Sequence, residues 1–188
     1  MGSNCSMSRH KSFIRKSLYA MIFTWVSCQV QAASPFTVDL AGIEADKALP
    51  GKFLSNAFGC TGDNVRPALN WLHAPAGTRS FAVTFYDKDA PTGSGFWQWV
   101  AVDIPAEATG LKENGLPAGT RQQRNDAGTA TWLGPCPPAG TSHHYEFSVH
   151  ALDIASLAIP KDASAALAGY LIYQHTLERA KTTLVVSR

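Results

Sequence analysis

The sequence predicts a mainly β domain with a peripheral helix near its C-terminal end. Short segments with apolar residues at every second position recur along the chain, and stretches rich in Gly, Pro, Asn and Asp separate them. One late segment instead has apolar residues at three- and four-residue spacing, as in an amphipathic helix. The 188 residues, 45% hydrophobic and 16% charged, favour a single globular domain with a substantial core.

Alternation of apolar residues places the strands at residues 36–42, 68–71, 80–87, 97–104, 145–152 and 183–187. The segment 80–87 is apolar on both faces, which is typical of a central strand, and it ends in the carboxylate of Asp87. Strict alternation along the next segment puts Gln98 on the same face as Val100 and Val102. The strands therefore carry polar side chains at or near their ends.

A stripe of apolar residues after residue 160 predicts the helix. Either Asp162 or Ser164 can cap its N-terminus. Many strands followed by one helix indicate a mostly β domain with the helix at its periphery. The stripe comprises Ala163, Ala166, Leu167, Tyr170, Tyr173, Leu177 and Ala180.

The first 32 residues have the features of a secretory signal peptide. A basic segment precedes an apolar stretch, and Val30 and Ala32 occupy the −3 and −1 positions of a cleavage site. A membrane anchor is disfavoured because the apolar stretch is short for a bilayer, and a lipoprotein site at Cys28 is weaker still. We expect residues 33–188 to form one periplasmic or secreted domain with no transmembrane span.

Removal of this segment reverses the net charge. The whole chain has 16 basic and 14 acidic residues, a formal net charge of +2. The first 32 residues contain four of the basic residues and no acidic one, which leaves 12 bases against 14 acids. A nucleic-acid-binding domain would need a basic stripe, so we expect no nucleic-acid partner.

Two of the four cysteines, Cys60 and Cys136, remain after the expected cleavage. An even pair in an exported chain indicates a disulfide. Neither cysteine lies in a CxxC motif or has the spacing of zinc ligands, so a redox or zinc site is not expected.

The motifs of common nucleophilic, metal-dependent and nucleotide-binding enzymes are absent from the sequence. The remaining polar candidates also have plainer interpretations: an Asp before "AP" is usually a turn residue, and two adjacent histidines of a strand point to opposite faces. A proline-rich stretch, "WLGPCPPAGTSHHYEF" at 132–147, delivers three of them to the start of a strand. The candidates are Asp87, Asp89, Gln98, His143, His144 and Tyr145.

Several segments, taken in order, resemble motifs of the phosphatidylethanolamine-binding protein family, especially its bacterial, Raf-kinase-inhibitor-like branch. "DKDAP" resembles the family's DPDAP loop, "GFWQWV" its strand with a G-x-x-H-W core, and "LGPCPPAGTSHHYEF" its GPPxGxHRY segment. "RPALNW" is similar to a Ser-Pro-x-Leu-x-Trp block. The resemblance extends from about residue 36 to the C-terminus and implies a β-sandwich with Greek-key strands and a peripheral C-terminal helix.

The resemblance also implies one small pocket that binds an anion, such as the phosphate of a phospholipid headgroup or of a phosphorylated residue. Three positions depart from the family pattern: Lys88 replaces a proline, Arg66 a small residue, and Gln98 the second pocket histidine. The implied disulfide joins Cys60 and Cys136. The implied ligand-binding residues are Asp87, Asp89, Pro91, Gln98, Gly134, Pro135, Pro137, His143 and Tyr145.

We expect recognition by preorganised donors, with no enzymatic activity, metal or cofactor. Asp87 or Asp89 would accept a hydrogen bond from one ring nitrogen of His143, and the other nitrogen would face the anion. Tyr145 would add a neutral O–H donor. Two alternatives stay open: an interaction protein that inhibits a kinase or protease through its pocket rim, and a hydrolase that uses the Asp/His cluster. A protein partner and a homodimer stay open as well.

Overall fold

The computed structural model describes residues 34–44 and 48–188, so the expected signal peptide at 1–32 lies outside the described residues. Within these residues the chain forms eight strands, one α-helix and a short 3-10 helix at Gly51–Phe53. The elements in chain order are β1 (Thr37–Leu40), β2 (Leu69–Leu72), β3 (Ser80–Asp87), β4 (Phe96–Pro105), β5 (Gly110–Leu111), β6 (Arg121–Gln123), β7 (Ser142–Leu152), α1 (Ala165–Gln174) and β8 (Thr176–Ser187).

The strands form two antiparallel sheets. The smaller sheet has the order β1-β2-β5, and the larger has the order β6-β4-β3-β7-β8. One core cluster contains Leu69 and Trp71 of the smaller sheet together with Phe81, Phe85 and Phe147 of the larger, and all five are almost fully buried. The predicted mainly β sandwich is confirmed.

Strand β3 lies in the middle of the larger sheet. Its pairing brings Asp87, at its end, next to the polar residues at the starts of β4 and β7. It pairs with β4 on one side and with β7 on the other, and Asp87 at its end lies opposite Tyr145. Its inner face, with Phe81, Val83 and Phe85, is buried in the core. Strand β7 begins at Ser142, so His143 belongs to the strand instead of the preceding loop.

The helix is shorter than its sequence pattern predicts. The hydroxyl of Ser164 accepts a hydrogen bond from the backbone N–H of Leu167 at 3.1 Å, which caps the first turn. The helix ends at Gln174, and the predicted helical residues Leu177 and Ala180 belong to β8. The strand takes these residues because it pairs with β7 along almost its whole length.

The helix also buries a different face from the predicted one. Ala165, Ala168 and Ile172 pack on the outer face of the larger sheet, whereas Tyr170 and Tyr173 of the predicted stripe are 59% and 71% exposed. A Cβ at Gly169 would lie 2.9 Å from the Trp97 ring, so the helix approaches the sheet closely. At this close approach the helix carries alanine and glycine, because the separation leaves no room for tyrosines.

A β-bulge in β4 changes the side that Gln98 faces. Trp97 and Trp99 pair with consecutive residues of β3, so Gln98 between them has no residue opposite it. Val100 and Val102 pack beneath α1 on the outer face, whereas Gln98 lines a cavity beside the inner core. The prediction that Gln98 shares a face with these two valines is therefore wrong.

A disulfide joins Cys60 to Cys136, with their Cα atoms 5.9 Å apart. It connects two segments 76 residues apart in the sequence: the one that follows the 3-10 helix and the proline-rich one before β7. The expected pairing is thus present, and it lies next to the end of the sheet where β3 finishes and β7 starts.

Candidate functional site

A cavity of about 330 Å³ lies where β3 ends and β7 begins. The loop after β3, the start of β4, the proline-rich segment before β7 and the turn at residue 58 form its wall. Among the predicted site residues, those that line it are Asp87, Pro91, Gln98, Gly134 and His143. The structure adds Phe58, Ala90, Thr92, Phe96, Leu133, Cys136, Pro138 and Arg188.

A buried histidine–aspartate pair forms the polar part of the wall. The Nδ1 atom of His143 lies 2.8 Å from Oδ2 of Asp87, and both residues are almost fully buried. The other carboxylate oxygen of Asp87 accepts a hydrogen bond from the backbone N–H of Asp89 at 3.0 Å. Because Nδ1 is engaged, Nε2 is the ring nitrogen that remains for a ligand.

The neighbouring pair, Asp89 and His144, lies outside the cavity wall. The Oδ2 atom of Asp89 accepts from the backbone N–H of His144 and lies 2.6 Å from its Nδ1. These hydrogen bonds hold the pKa of Asp89 below its ordinary value, and the side-chain bond contributes more than the backbone bond. Both side chains are exposed. Asp89 therefore anchors the loop after β3 from the solvent side.

Three further predicted residues, Pro135, Pro137 and Tyr145, are not part of the cavity lining. Tyr145 is fully buried, its ring centroid is 6.3 Å from that of His143, and its hydroxyl has no hydrogen-bond partner among the described residues. Burial, with the nearby charge of Asp87, raises the pKa of Tyr145. Pro135 and Pro137 are buried and do not line the cavity. All three are buried and adjoin residues that line the cavity.

Gly134 brings the proline-rich segment close to the chain around the 3-10 helix. A Cβ at this position would lie 2.5 Å from the backbone oxygen of Phe53. The backbone N–H of Gly134 donates to Oδ1 of Asn64 at 2.7 Å, and the next carbonyl, that of Pro135, accepts from Ser55 at 3.1 Å. Only glycine fits this approach, so the residue shapes the wall through its backbone.

The side-chain oxygen of Gln98 is buried in the cavity wall without a described partner. The residue is 6% exposed, and its Oε1 atom has no hydrogen-bond partner within the described part of the chain. An unsatisfied buried polar atom costs about 1–3 kcal/mol, so such an atom in a cavity wall indicates a position for a ligand. Because an amide can be rotated, Gln98 can present either an acceptor or an N–H donor to that ligand.

The other two departures from the family pattern do not reach the cavity. The backbone N–H of Lys88 donates to the carbonyl of His144 at 3.0 Å, a bond that a proline cannot make. Arg66 is buried, and its guanidinium donates to the carbonyls of Pro67, Lys112 and Gly115. Burial lowers the pKa of Arg66 to about 10. Both departures therefore act on the framework.

Two of the wall residues that sequence reasoning missed are Phe58 and Arg188. Phe58 is 67% exposed at the mouth of the cavity and has a positive φ of 54°. Arg188 follows β8, and its guanidinium donates to the backbone oxygen of Gly59. Neither residue belongs to a motif, and they are 130 residues apart in sequence, so no local signal links them to the cavity.

Within residues 34–44 and 48–188, no group of three or more His, Cys, Asp or Glu side chains is arranged to hold a metal ion. A second, larger depression of about 630 Å³ lies along β5 and contains none of the predicted site residues. In the described part of the chain, no helix has the length and apolar character needed to cross a membrane.

Comparison with known proteins gives consistent similarities. Residues 44–187 match the family described as phosphatidylethanolamine-binding protein. The chain is 43% identical over 150 residues to the UPF0098 protein YbhB of Escherichia coli, which covers 77% of this chain and 94% of that protein. It is 32% identical over 151 residues to LppC of Mycobacterium tuberculosis, which is described as a lipoprotein; this match covers 80% and 71% of the two chains.

Comparison with solved structures also finds a member of this family. The crystal structure of E. coli YbcL, described as a new member of the mammalian PEBP family, superposes with a TM-score of 0.78 at 40% sequence identity. The superposition covers 82% of this chain and 99% of YbcL. In sequence, YbcL is 40% identical over 176 residues, which is 89% of this chain and 96% of that protein.

Proposed function

We propose a binding function for this chain, which belongs to the phosphatidylethanolamine-binding protein family. The ligand is a small phosphate-type anion, either free or part of a headgroup, and the cavity at the end of β3 holds it. The observation that carries this proposal is the buried pair of His143 and Asp87, which line the cavity together.

The pair has the chemistry that an anion requires. Asp87 accepts from Nδ1 of His143 and stabilises the positive charge of an imidazolium, whose Nε2–H can then donate to a phosphate oxygen. In the neutral ring the same Nε2 accepts from a protonated phosphate oxygen. The amide of Gln98 supplies a second, neutral donor. The carboxylate of Asp87 acts through the imidazole, which keeps its negative charge from repelling the anion directly.

The size and surroundings of the cavity favour a small ligand. A volume of about 330 Å³ is at the small end of ordinary ligand sites. Phe96 and Leu133 add apolar surface around the polar centre, and proline residues stiffen the wall, so little conformational entropy is lost on binding. The ligand therefore binds to a largely preformed site.

We propose binding instead of catalysis because the acid–base groups already have partners. Both carboxylate oxygens of Asp87 accept hydrogen bonds, one from His143 and one from the backbone of Asp89. A hydrolase would need a base that is free to activate water or a nucleophile within reach of the reacting atom. In this cavity wall the carboxylate is committed to orienting the histidine.

The test is calorimetric titration of the purified protein with inorganic phosphate and with phosphoethanolamine, in a phosphate-free buffer. His143→Ala should weaken binding by about 1.5–3 kcal/mol, which is about 10- to 150-fold, because it removes a charge-assisted donor. His175→Ala is the matched control, since that histidine lies at the end of α1 and pairs with Asp153. Equal affinities of His143→Ala and the parent would exclude this site.

The two ligands distinguish the sources of the anion. If the phosphate group alone is recognised, inorganic phosphate and phosphoethanolamine should bind with similar affinity. If the site recognises a headgroup, phosphoethanolamine should bind more tightly, because its additional group also contacts the wall. If neither compound gives a heat of binding, the proposed function itself is contradicted.

We also propose that the protein is exported to the periplasm. The disulfide between Cys60 and Cys136 is typical of oxidising compartments, and the similarity to a protein described as a lipoprotein supports export. Mass spectrometry of protein from the periplasmic fraction should find an N-terminus at Ala33. Protein found only in the cytoplasm, with its N-terminus intact, would contradict the proposal.

A further inference from the structure

We propose that Arg188 is a second, cationic anchor for the anion in this cavity, an inference that rests on the proposed function. Its side chain lines the same cavity as Asp87 and His143. No motif marks this residue. Its role follows from three features: its position beside β7, the lack of an ion pair with any described carboxylate, and the shape of the turn that holds it.

Backbone pairing brings Arg188 to the mouth of the cavity. Strand β8 runs antiparallel to β7, with Val186 opposite His143. Two residues further on, the backbone N–H of Arg188 donates to the carbonyl of Thr141 at 3.1 Å, and its carbonyl accepts from Gly140 at 2.8 Å. The base of the side chain is therefore fixed by the same strand pair that positions the histidine.

The guanidinium of Arg188 has no ion-pair partner in the part of the chain that the structure describes. Its Nη2 atom donates to the carbonyl of Gly59, whereas its Nη1 atom lies 3.5 Å from the carbonyl of Phe58 and 3.6 Å from Sγ of Cys136. These three acceptors leave at least two of the five guanidinium N–H groups for a ligand.

The turn at residues 58–60 is shaped around this guanidinium. Phe58 and Gly59 both have positive φ, 54° and 80°, and a bulky residue adopts that conformation only where its surroundings enforce it. A Cβ at Gly59 would lie 3.2 Å from Nη2 of Arg188. The disulfide at Cys60 holds the turn against the cavity wall. Arg188 is thus held on the rim of the cavity.

The electrostatics of the cavity favour such an anchor. Asp87 places a negative charge in the wall, and an anion beside it needs more positive charge than one imidazole supplies. A guanidinium presents a planar fork of donors that matches two oxygens of a phosphate. With His143 at the inner end and Arg188 at the mouth, the anion has charge-assisted donors on two sides.

The experiment is calorimetric titration of the oxidised protein with inorganic phosphate, in a phosphate-free buffer, for the parent and four variants. Arg188→Met removes the charge and keeps the length, and Arg188→Lys keeps the charge without the fork. Arg179→Met is the matched control, because Arg179 is exposed on the same strand and does not line the cavity. His143→Ala tests the proposed function independently.

We expect Arg188→Met to bind phosphate at least about tenfold more weakly than Arg179→Met, with Arg188→Lys in between. If Arg188→Met and Arg179→Met bind phosphate equally while His143→Ala loses it, Arg188 is not an anchor and the proposed function stands. If the parent binds no phosphate, the proposed function fails and this inference fails with it.

A second measurement does not depend on the folding of any variant. In the parent protein, phosphate should shift the side-chain ¹⁵N resonances of Arg188, assigned by their loss in Arg188→Lys. The resonances of Arg179 should remain unchanged. Phosphate that shifts the resonances of His143 and leaves those of Arg188 in place would overturn the inference.

Discussion

The Nδ1 atom of His143 lies 2.8 Å from Oδ2 of Asp87, across the junction between β7 and β3. The pair depends on strand register, because Asp87 lies directly opposite Tyr145, two residues from the histidine. A slip of one residue would bring His144 into the cavity and turn His143 outward. Since both strands are buried in the larger sheet, the packing of their apolar residues fixes which histidine faces the ligand.

Replacement of Gln98 by histidine should tighten phosphate binding at acidic pH. Gln98 lies in the cavity wall and offers only a neutral donor, whereas a protonated imidazole offers a charge-assisted one. The gain should be about 1 kcal/mol, or roughly five- to tenfold in affinity, below about pH 6.5. Calorimetry at several pH values checks this, with Gln174→His on the exposed end of α1 as control. Unchanged affinity at low pH would show that residue 98 does not face the ligand.

Loss of the disulfide should destabilise the protein strongly. It closes a long loop, since Cys60 and Cys136 are 76 residues apart, and the chain-entropy relation then gives an upper value of about 4–5 kcal/mol. Urea unfolding of the double variant Cys60→Ala/Cys136→Ala measures this loss. Mass spectrometry of the parent should give a mass two hydrogens below that of the dithiol. Two free thiols in the purified parent would contradict the pairing.

The protein should lose stability in acid because of His150. Burial, with the positive charges of Arg179 and Lys181, lowers the pKa of His150 to about 3. In the unfolded chain the ordinary value is about 6.5, so between these two values the unfolded state binds the extra proton. The contribution is complete above about pH 6.5 and declines as the pH falls to about 3, by about 1.4 kcal/mol per unit.

Urea unfolding from pH 7 to pH 4.5 measures this effect, which should reach about 3 kcal/mol at the lower pH. In His150→Gln, the free energy of unfolding should depend less on pH in the acid range. The glutamine keeps a hydrogen-bond partner for Thr176, whose Oγ1 atom lies 3.2 Å from Nδ1 of the histidine. His73→Asn is the matched control, because His73 is exposed and asparagine tolerates its positive φ of 60°. If the free energy of unfolding falls equally with pH in the parent and in His150→Gln, His150 is not the origin of the acid sensitivity.

Removal of the helix cap should have a smaller effect. Ser164→Ala eliminates the hydrogen bond to the backbone N–H of Leu167 and should lower the free energy of unfolding by about 1 kcal/mol. Ser164→Asp should restore most of this loss, because aspartate caps a helix equally well. Thermal or urea unfolding compares the three proteins. Equal stability of parent and Ser164→Ala would show that the cap does not limit the stability of α1.

Sequence reasoning predicted the buried strands better than the exposed ones. Residues 80–87 are apolar on both faces, and the predicted strand and the observed β3 have the same bounds. The first half of β8 was missed because it carries Glu178, Arg179 and Lys181 on the outer edge of the sheet, where charges replace apolar alternation. Pairing with β7 determines that region, and pairing is not visible in the local pattern.

The site shows the same division. The motifs brought Asp87 and His143 together correctly, because each lies at the end of a strongly apolar strand. Arg188 and Phe58 entered the cavity through strand pairing and through a turn held by a disulfide. Such long-range contacts have no spacing rule, so only the folded structure shows them. The alternative functions, including inhibition of a kinase or protease, stay predictions.

Because Gln98 is the extra residue of a bulge, the number of residues in β4 determines whether an amide lines the cavity. Deleting that one residue would restore unbroken pairing between Trp97 and Trp99 and leave the hydrophobic composition of the sheet unchanged. The cavity would nevertheless lose its amide, because no side chain would project from that point. In a protein of this architecture, a single-residue insertion or deletion in a buried strand can therefore redefine a binding site without any change to the residues at its rim.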